Sequence, residues 1–79
     1  MTNIEKYTNA FTETFKISAD EAAKLKYQDI SAWDSVGHMG LVAAVEGVFD
    51  IMMEADDIID FSSFEKGKEI LSAKYNITF

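Results

Sequence analysis

Cysteine is absent from this chain. Neither disulfide bonds nor thiolate metal sites can staple the fold, which must hold by packing. Proline is absent too, glycine occurs four times, and no repeat or low-complexity segment is present. Nothing marks a linker, and 79 residues suit one domain, residues 1–79, with a modest core. No apolar run reaches the ~20 residues that span a bilayer. The first residues lack the basic-then-apolar order of a secretory signal. A cytoplasmic monomer with no membrane segment is expected. Arginine is missing as well: all seven basic residues are lysines. What the chain does have is 48% hydrophobic residues, enough for a globular fold rather than a disordered one.

It also has 14 acids, giving a net charge of −7. They are unevenly placed. Residues 1 to 26 hold four acids and four lysines, whereas residues 27 to 65 hold nine acids and no lysine. The middle of the chain is thus a one-sign surface. It repels nucleic acid and steers basic protein partners toward itself. A solvated acidic face that aids solubility is the plainer explanation of the same pattern. Asp50, Glu54, Asp56 and Asp57 are dense, but their spacing does not follow the D-x-[DN]-x-[DN]-G calcium loop. No specific metal site is expected, only weak, delocalised attraction of divalent cations.

Apolar residues recur at helical rather than alternating spacing, which points to an all-α fold. Thr2-Asn3-Ile4-Glu5 reads as a capping box, and Ile4, Tyr7, Phe11 and Phe15 follow at steps of three and four. A first helix is expected over Asn3 to Phe15. A long connection, Lys16 to Asp34, comes next, with a short helical turn suggested by a second capping pattern at Ser18-Ala19-Asp20-Glu21. Leu25, Tyr27, Ile30 and Trp33 should tether it to the core. The second helix is expected from Ser35 to Phe49. Leu41, Val45, Val48 and Phe49 should face inward with Val42 at the edge, and Val36, Gly40, Ala43 and Gly47 should line the opposite side. Met52, Met53, Ile58, Ile59 and Phe61 should add apolar surface. Asp56 to Asp60 reads as a short third helix. Ser62-Ser63-Phe64-Glu65 reads as a capping box opening a last helix to Lys74, with Phe64, Gly67, Ile70 and Leu71 on its inner face. The expected architecture is a small four-helix bundle: three longer helices, one short helix and a long first connection.

The segment Trp33-Asp34-Ser35-Val36-Gly37-His38-Met39 carries the functional signal. Serine at a helix start is most often a cap. Here Asp34 can do the capping. That frees Ser35 for the first turn, with its hydroxyl exposed beside N–H groups that favour anions. The D-S-[LV] core, with an acidic helix behind it, resembles the acyl carrier protein family. The resemblance covers nearly the whole chain and is strongest from Ala32 to Phe64. It implies that a separate phosphopantetheinyl transferase, bringing coenzyme A and a metal, attaches a phosphopantetheine arm to Ser35. The Ser35 hydroxyl would attack the coenzyme's pyrophosphate, leaving the arm joined by a phosphodiester. The arm's thiol would then hold an acyl group as a thioester, so a chain without cysteine could carry thioester chemistry. The chain itself would catalyse nothing. Asp34 would orient Ser35. Val36, Ala43, Glu46, Asp56 and Asp57 would meet acyl-transferring or acyl-activating enzymes through basic docking patches. Family members can shelter the acyl chain between helices, and Met39, Met52 and Met53 suit a core that must open.

Three other readings compete. A hydrolase built from Ser35, His38 and an acid lacks the Gly-x-Ser-x-Gly elbow. His38 also falls toward the core side of the helix, where it should pack and hydrogen-bond near Trp33. Carriers of aminoacyl or peptidyl groups usually have Gly-Gly-[DH]-Ser, which Ala32-Trp33-Asp34-Ser35 fits poorly. An unmodified acidic interaction module would need no arm at all. The chain also departs from fatty-acid carriers, which usually line the exposed side of the second helix with acids. Here that side has Val36, Gly40, Ala43 and Gly47, with Glu46 nearby, although each interior glycine costs about 0.5–1 kcal/mol relative to alanine. Drift at a tolerant surface explains this. So does a shallow, nearly neutral groove for a close-approaching partner, with the acidic docking surface shifted to Asp56, Asp57 and Asp60.

Overall fold

The computed structural model describes every residue from Met1 to Phe79 and contains five helices and no strand. They are α1 (Asn3–Phe15), α2 (Ala19–Ala23), α3 (Ser35–Phe49), α4 (Ala55–Asp60) and α5 (Phe64–Lys74). The three longer helices are those expected. α1 opens on the reciprocal pair foreseen for it: the Glu5 N–H donates to Thr2 Oγ1 at 3.3 Å, and the Thr2 N–H donates to Glu5 Oε1 at 2.9 Å. The helix start leaves these donors free unless side chains take them. Ser18 and Glu21 close the same box on α2, so the long connection does contain a helix.

The rest of that connection, residues 24–34, is fastened by its apolar side chains. Leu25 and Trp33 are buried, while Tyr27 and Ile30 pack half-buried against the core. Its backbone is also tied to the start of α5. The Tyr27 N–H donates to the Ser62 carbonyl at 2.9 Å, and the Phe64 N–H to the Leu25 carbonyl at 3.0 Å. This pairing moves the cap of α5. Ser62 is held by Tyr27, so Ser63 becomes the N-cap and accepts from the Lys66 N–H at 2.9 Å. The box expected between Ser62 and Glu65 is not the cap that forms.

Aromatic rings fill the centre. Phe11 lies 5.5 Å from Trp33 and 5.1 Å from Phe64, in edge and tilted pairs that add to the gain from burial. The buried Tyr7 hydroxyl donates to the Phe64 carbonyl at 2.6 Å, and burial raises its pKa far above the ordinary phenol range. α3 meets α1 through Leu41, Val42 and Val45. Val45 sits at the centre of that buried arc. Val42 therefore moves fully inside, while Val48, expected in the core, lies at the rim with 38% of its surface exposed. Beyond α3, Met53 and Phe61 are buried but Met52 and Ile59 are exposed. Only part of the expected apolar surface turns inward. No helix is long and apolar enough to cross a membrane.

Candidate functional site

α3 begins at the foreseen place because Asp34 caps it. Asp34 Oδ1 accepts from the Gly37 N–H at 2.9 Å, and the Asp34 carbonyl accepts from the His38 N–H at 2.8 Å. Ser35 is the first residue of the helix and is exposed. With Asp34 as the cap, the Ser35 hydroxyl needs no partner within the chain. The Ser35 and Val36 N–H groups are first-turn donors with no helical acceptor. Trp33, two residues earlier, is fully buried, so the turn hangs from an anchored ring. Gly37 allows the turn to close, because a Cβ there would collide with the Ala32 carbonyl.

His38 faces inward, as its position on the helix implies. The Trp33 indole N–H donates to His38 Nδ1 at 2.9 Å, and His38 Nε2 lies 2.7 Å from the Ile58 carbonyl oxygen. An indole nitrogen can only donate, so Nδ1 accepts and Nε2 carries the proton given to Ile58. The ring also stacks on Trp33 at 6.1 Å and meets Tyr27 edge-on at 5.5 Å. Both nitrogens are committed to the fold. Neither is left to activate Ser35, and the hydrolase arrangement is not assembled.

Ser35 and His38 line a cavity of about 410 Å³ beside α4. Met39, Ile58, Ile59 and Phe61 give it an apolar lining, and Tyr27 and Ser62 complete the wall. Its size falls within the range of small-molecule sites. Tyr27, Ile58 and Ser62 were not legible as site residues. They reach Ser35 through the pairing of Tyr27 with Ser62 and through the His38–Ile58 bond, and no local motif announces either. Met52 and Met53 do not line the cavity, so of the three methionines considered for sheltering cargo only Met39 does.

The residues expected to meet partners divide. Val36 is 82% exposed, and Ala43 and Asp56 are exposed with it. Gly40 and Gly47 lie on the same uncharged surface, and a Cβ at Gly47 would meet nothing. Glu46 is half-buried, and its Oε2 accepts from the Met53 N–H at 2.8 Å. Asp57, expected to meet partners, is instead buried, only 2% exposed. Its Oδ1 accepts from Lys74 Nζ at 2.7 Å and its Oδ2 from the Tyr75 hydroxyl at 2.6 Å. A buried carboxylate must be paired, and these two donors do it. The sequence could not separate Asp56 from Asp57, because six residues of helix are too few to reveal which side faces in. No three acidic or histidine side chains converge on a point that would hold a metal ion.

The hydrogen bonds from Lys74 and Tyr75 hold the Asp57 carboxyl below the usual carboxylate range, and the same pair raises the Lys74 ammonium. Stabilisation from Asp57 is therefore complete above the unfolded carboxylate value of ~3.9. It is lost as pH falls through the lowered folded value. The share from Lys74 is present below the ordinary lysine value and is lost as pH rises through the raised one. Asp57→Asn should lower the urea midpoint at neutral pH, and its gap from wild type should narrow on acidification. Urea titrations showing a gap independent of pH would contradict this account of the pair.

No protein family matches this chain, and no curated protein or solved structure does either.

Proposed function

We propose that this chain is an acyl carrier protein of the cytoplasm, loaded on Ser35. A phosphopantetheinyl transferase joins the arm of coenzyme A to the Ser35 oxygen. One P–O bond of the pyrophosphate breaks, the nucleotide half leaves, and the serine proton is lost to the transferase or to water. The arm's thiol then carries acyl groups as thioesters between partner enzymes. The chain itself catalyses nothing.

The observation that carries this reading is Ser35 itself. Its hydroxyl is exposed at the first residue of α3, uncommitted because Asp34 does the capping, and it borders an apolar cavity. The first-turn N–H groups of Ser35 and Val36 suit a phosphodiester anion. Because both His38 nitrogens are occupied, the transferase supplies the base. Met39, Ile58 and Ile59 suit an apolar cargo with flexible, water-excluding side chains. Partners approach over Val36, Ala43 and Asp56, and the exposed acids Asp34, Asp50, Glu54 and Asp60 favour a basic patch on them.

The test is labelling with a fluorescent coenzyme A analogue, magnesium and a broad-specificity transferase. Wild type and Ser62→Ala should take the label, and Ser35→Ala should not. Equal labelling of Ser35→Ala and wild type would refute the assignment. A second reading, an unmodified interaction module, is favoured by the exposed apolar side chains Val36, Met39 and Ile59 among those acids. A folded wild type that takes no label from any transferase supports it instead.

A further inference from the structure

Sulfur enters this chain only as methionine, four times. The four differ in surroundings. Met53 is only 5% exposed, and its N–H donates to Glu46 Oε2 at 2.8 Å. Met1 and Met52 stand in solvent, and neither lines the cavity beside Ser35. Met39 alone is both accessible and placed at that site. It is 55% exposed, yet it lines the cavity with Ile58, Ile59 and Phe61. It also follows Ser35 by four positions in α3, a spacing that makes side chains neighbours on a helix. Exposed Val36 and Ile59 add to the apolar surface around the same hydroxyl.

We propose that Met39 is an oxidation site, taking one oxygen atom from a neutral hydroperoxide, and that its sulfoxide obstructs the loading of Ser35. A lone pair on the thioether sulfur attacks one peroxide oxygen. The S–O bond forms as the O–O bond breaks, so sulfur loses two electrons and the peroxide gains them. With hydrogen peroxide the leaving hydroxide takes the proton of the transferred oxygen and departs as water. The surroundings select an uncharged oxidant: the chain carries a net charge of −7, and Asp34 and Asp60, next in sequence to Ser35 and Ile59, are exposed. Anionic oxidants are held off by that field. The product replaces a flexible apolar side chain with a polar one. Its oxygen keeps its water only while the surface is open. A transferase seated on Ser35 covers Met39 as well and buries that oxygen among Val36, Ile58 and Ile59, which cannot pair it through their side chains. Burying an unpaired polar group is costly, so loading slows. The oxidation itself is independent of the carrier reading, and its effect on loading rests on that reading.

The full chain is treated with hydrogen peroxide, the peroxide is removed, and the product is mapped by peptide mass. Met1, Met39 and Met52 should each gain one oxygen, and Met53 none while the protein stays folded. Amide spectra read the site without any arm: the Ser35 and Ile59 resonances should move on oxidation in wild type and in Met52→Leu, and stay in place in Met39→Leu. Transferase loading is then compared as a ratio of rates, oxidised over reduced. That ratio should fall at least about fivefold in wild type and Met52→Leu and hold near one in Met39→Leu. Methionine sulfoxide reductases should restore it. Met39→Gln, permanently polar at a similar length, should load slowly without peroxide. A Met39 that stays reduced while Met52 oxidises would overturn the proposal. So would an oxidised wild type that loads as fast as the reduced one, or a Met39→Leu variant that is equally sensitive. A reduced wild type that takes no arm overturns the carrier reading and with it the effect on loading, while the mass map and the amide spectra still decide the oxidation site.

Discussion

Trp33→Ala should destabilise the protein by about 3–5 kcal/mol. The indole is fully buried and packs against Phe11 and Phe15, each at a centroid distance of 5.5 Å. Its N–H is also the donor to His38 Nδ1. Truncation therefore opens a cavity at the centre of the fold and strips one partner from His38, the ring bonded to the Ile58 carbonyl of α4. A domain of this size sits near the lower end of the usual ~5–15 kcal/mol of stability, so the variant should lose most of its urea resistance. Trp33→Phe retains much of the packing but not the indole donor, and should fall well between the two. The functional consequence follows from position: Trp33 anchors the turn that presents Ser35, so transferase labelling should slow even where the variant remains folded. Urea titration reads the first effect. A loss below ~1 kcal/mol would mean that the ring is not the anchor described.

Gly67→Ala should be nearly as damaging, although it adds a single methyl to a helix that alanine otherwise favours. A Cβ at Gly67 would collide with the Tyr7 hydroxyl and the Phe61 ring. Tyr7 cannot yield without breaking its 2.6 Å bond to the Phe64 carbonyl, which would strand a buried donor and acceptor. Overpacking costs about 1–3 kcal/mol, and the broken bond adds about 1–3 kcal/mol more. Gly47→Ala is the matched control. The same methyl meets nothing there, so the helix should gain about 0.5–1 kcal/mol. Urea midpoints moving in opposite directions are the expected result. Equal shifts for the two substitutions would contradict the packing described around Tyr7.

Local signals were the legible ones. The Thr2–Glu5 box and the Asp34 cap each work within a few residues, and α1 and α3 run over Asn3–Phe15 and Ser35–Phe49 as their patterns predict. The Ser18–Glu21 box likewise announced α2. Ser35 as an exposed first-turn hydroxyl follows from the same local chemistry. Contacts set by long-range pairing were not legible. The bond from Tyr27 to Ser62 displaced the cap of α5 and brought Ser62 to the cavity. Val42 and Val48 exchanged places because helical periodicity gives the width of a buried stripe but not its centre, which the approach of α1 decides. Asp57 departs from its expected exposed place for a related reason. In an acidic segment every carboxylate looks like surface, and only Lys74 and Tyr75, far along the chain, turn one of them inward.

Intact mass after incubation with coenzyme A, magnesium and a broad-specificity phosphopantetheinyl transferase, beside a Ser35→Ala control, decides whether Ser35 is the loading site. Wild type should gain one phosphopantetheine and the control none. A folded wild type that keeps its mass through a panel of such transferases, or a control that gains the same mass, would contradict it.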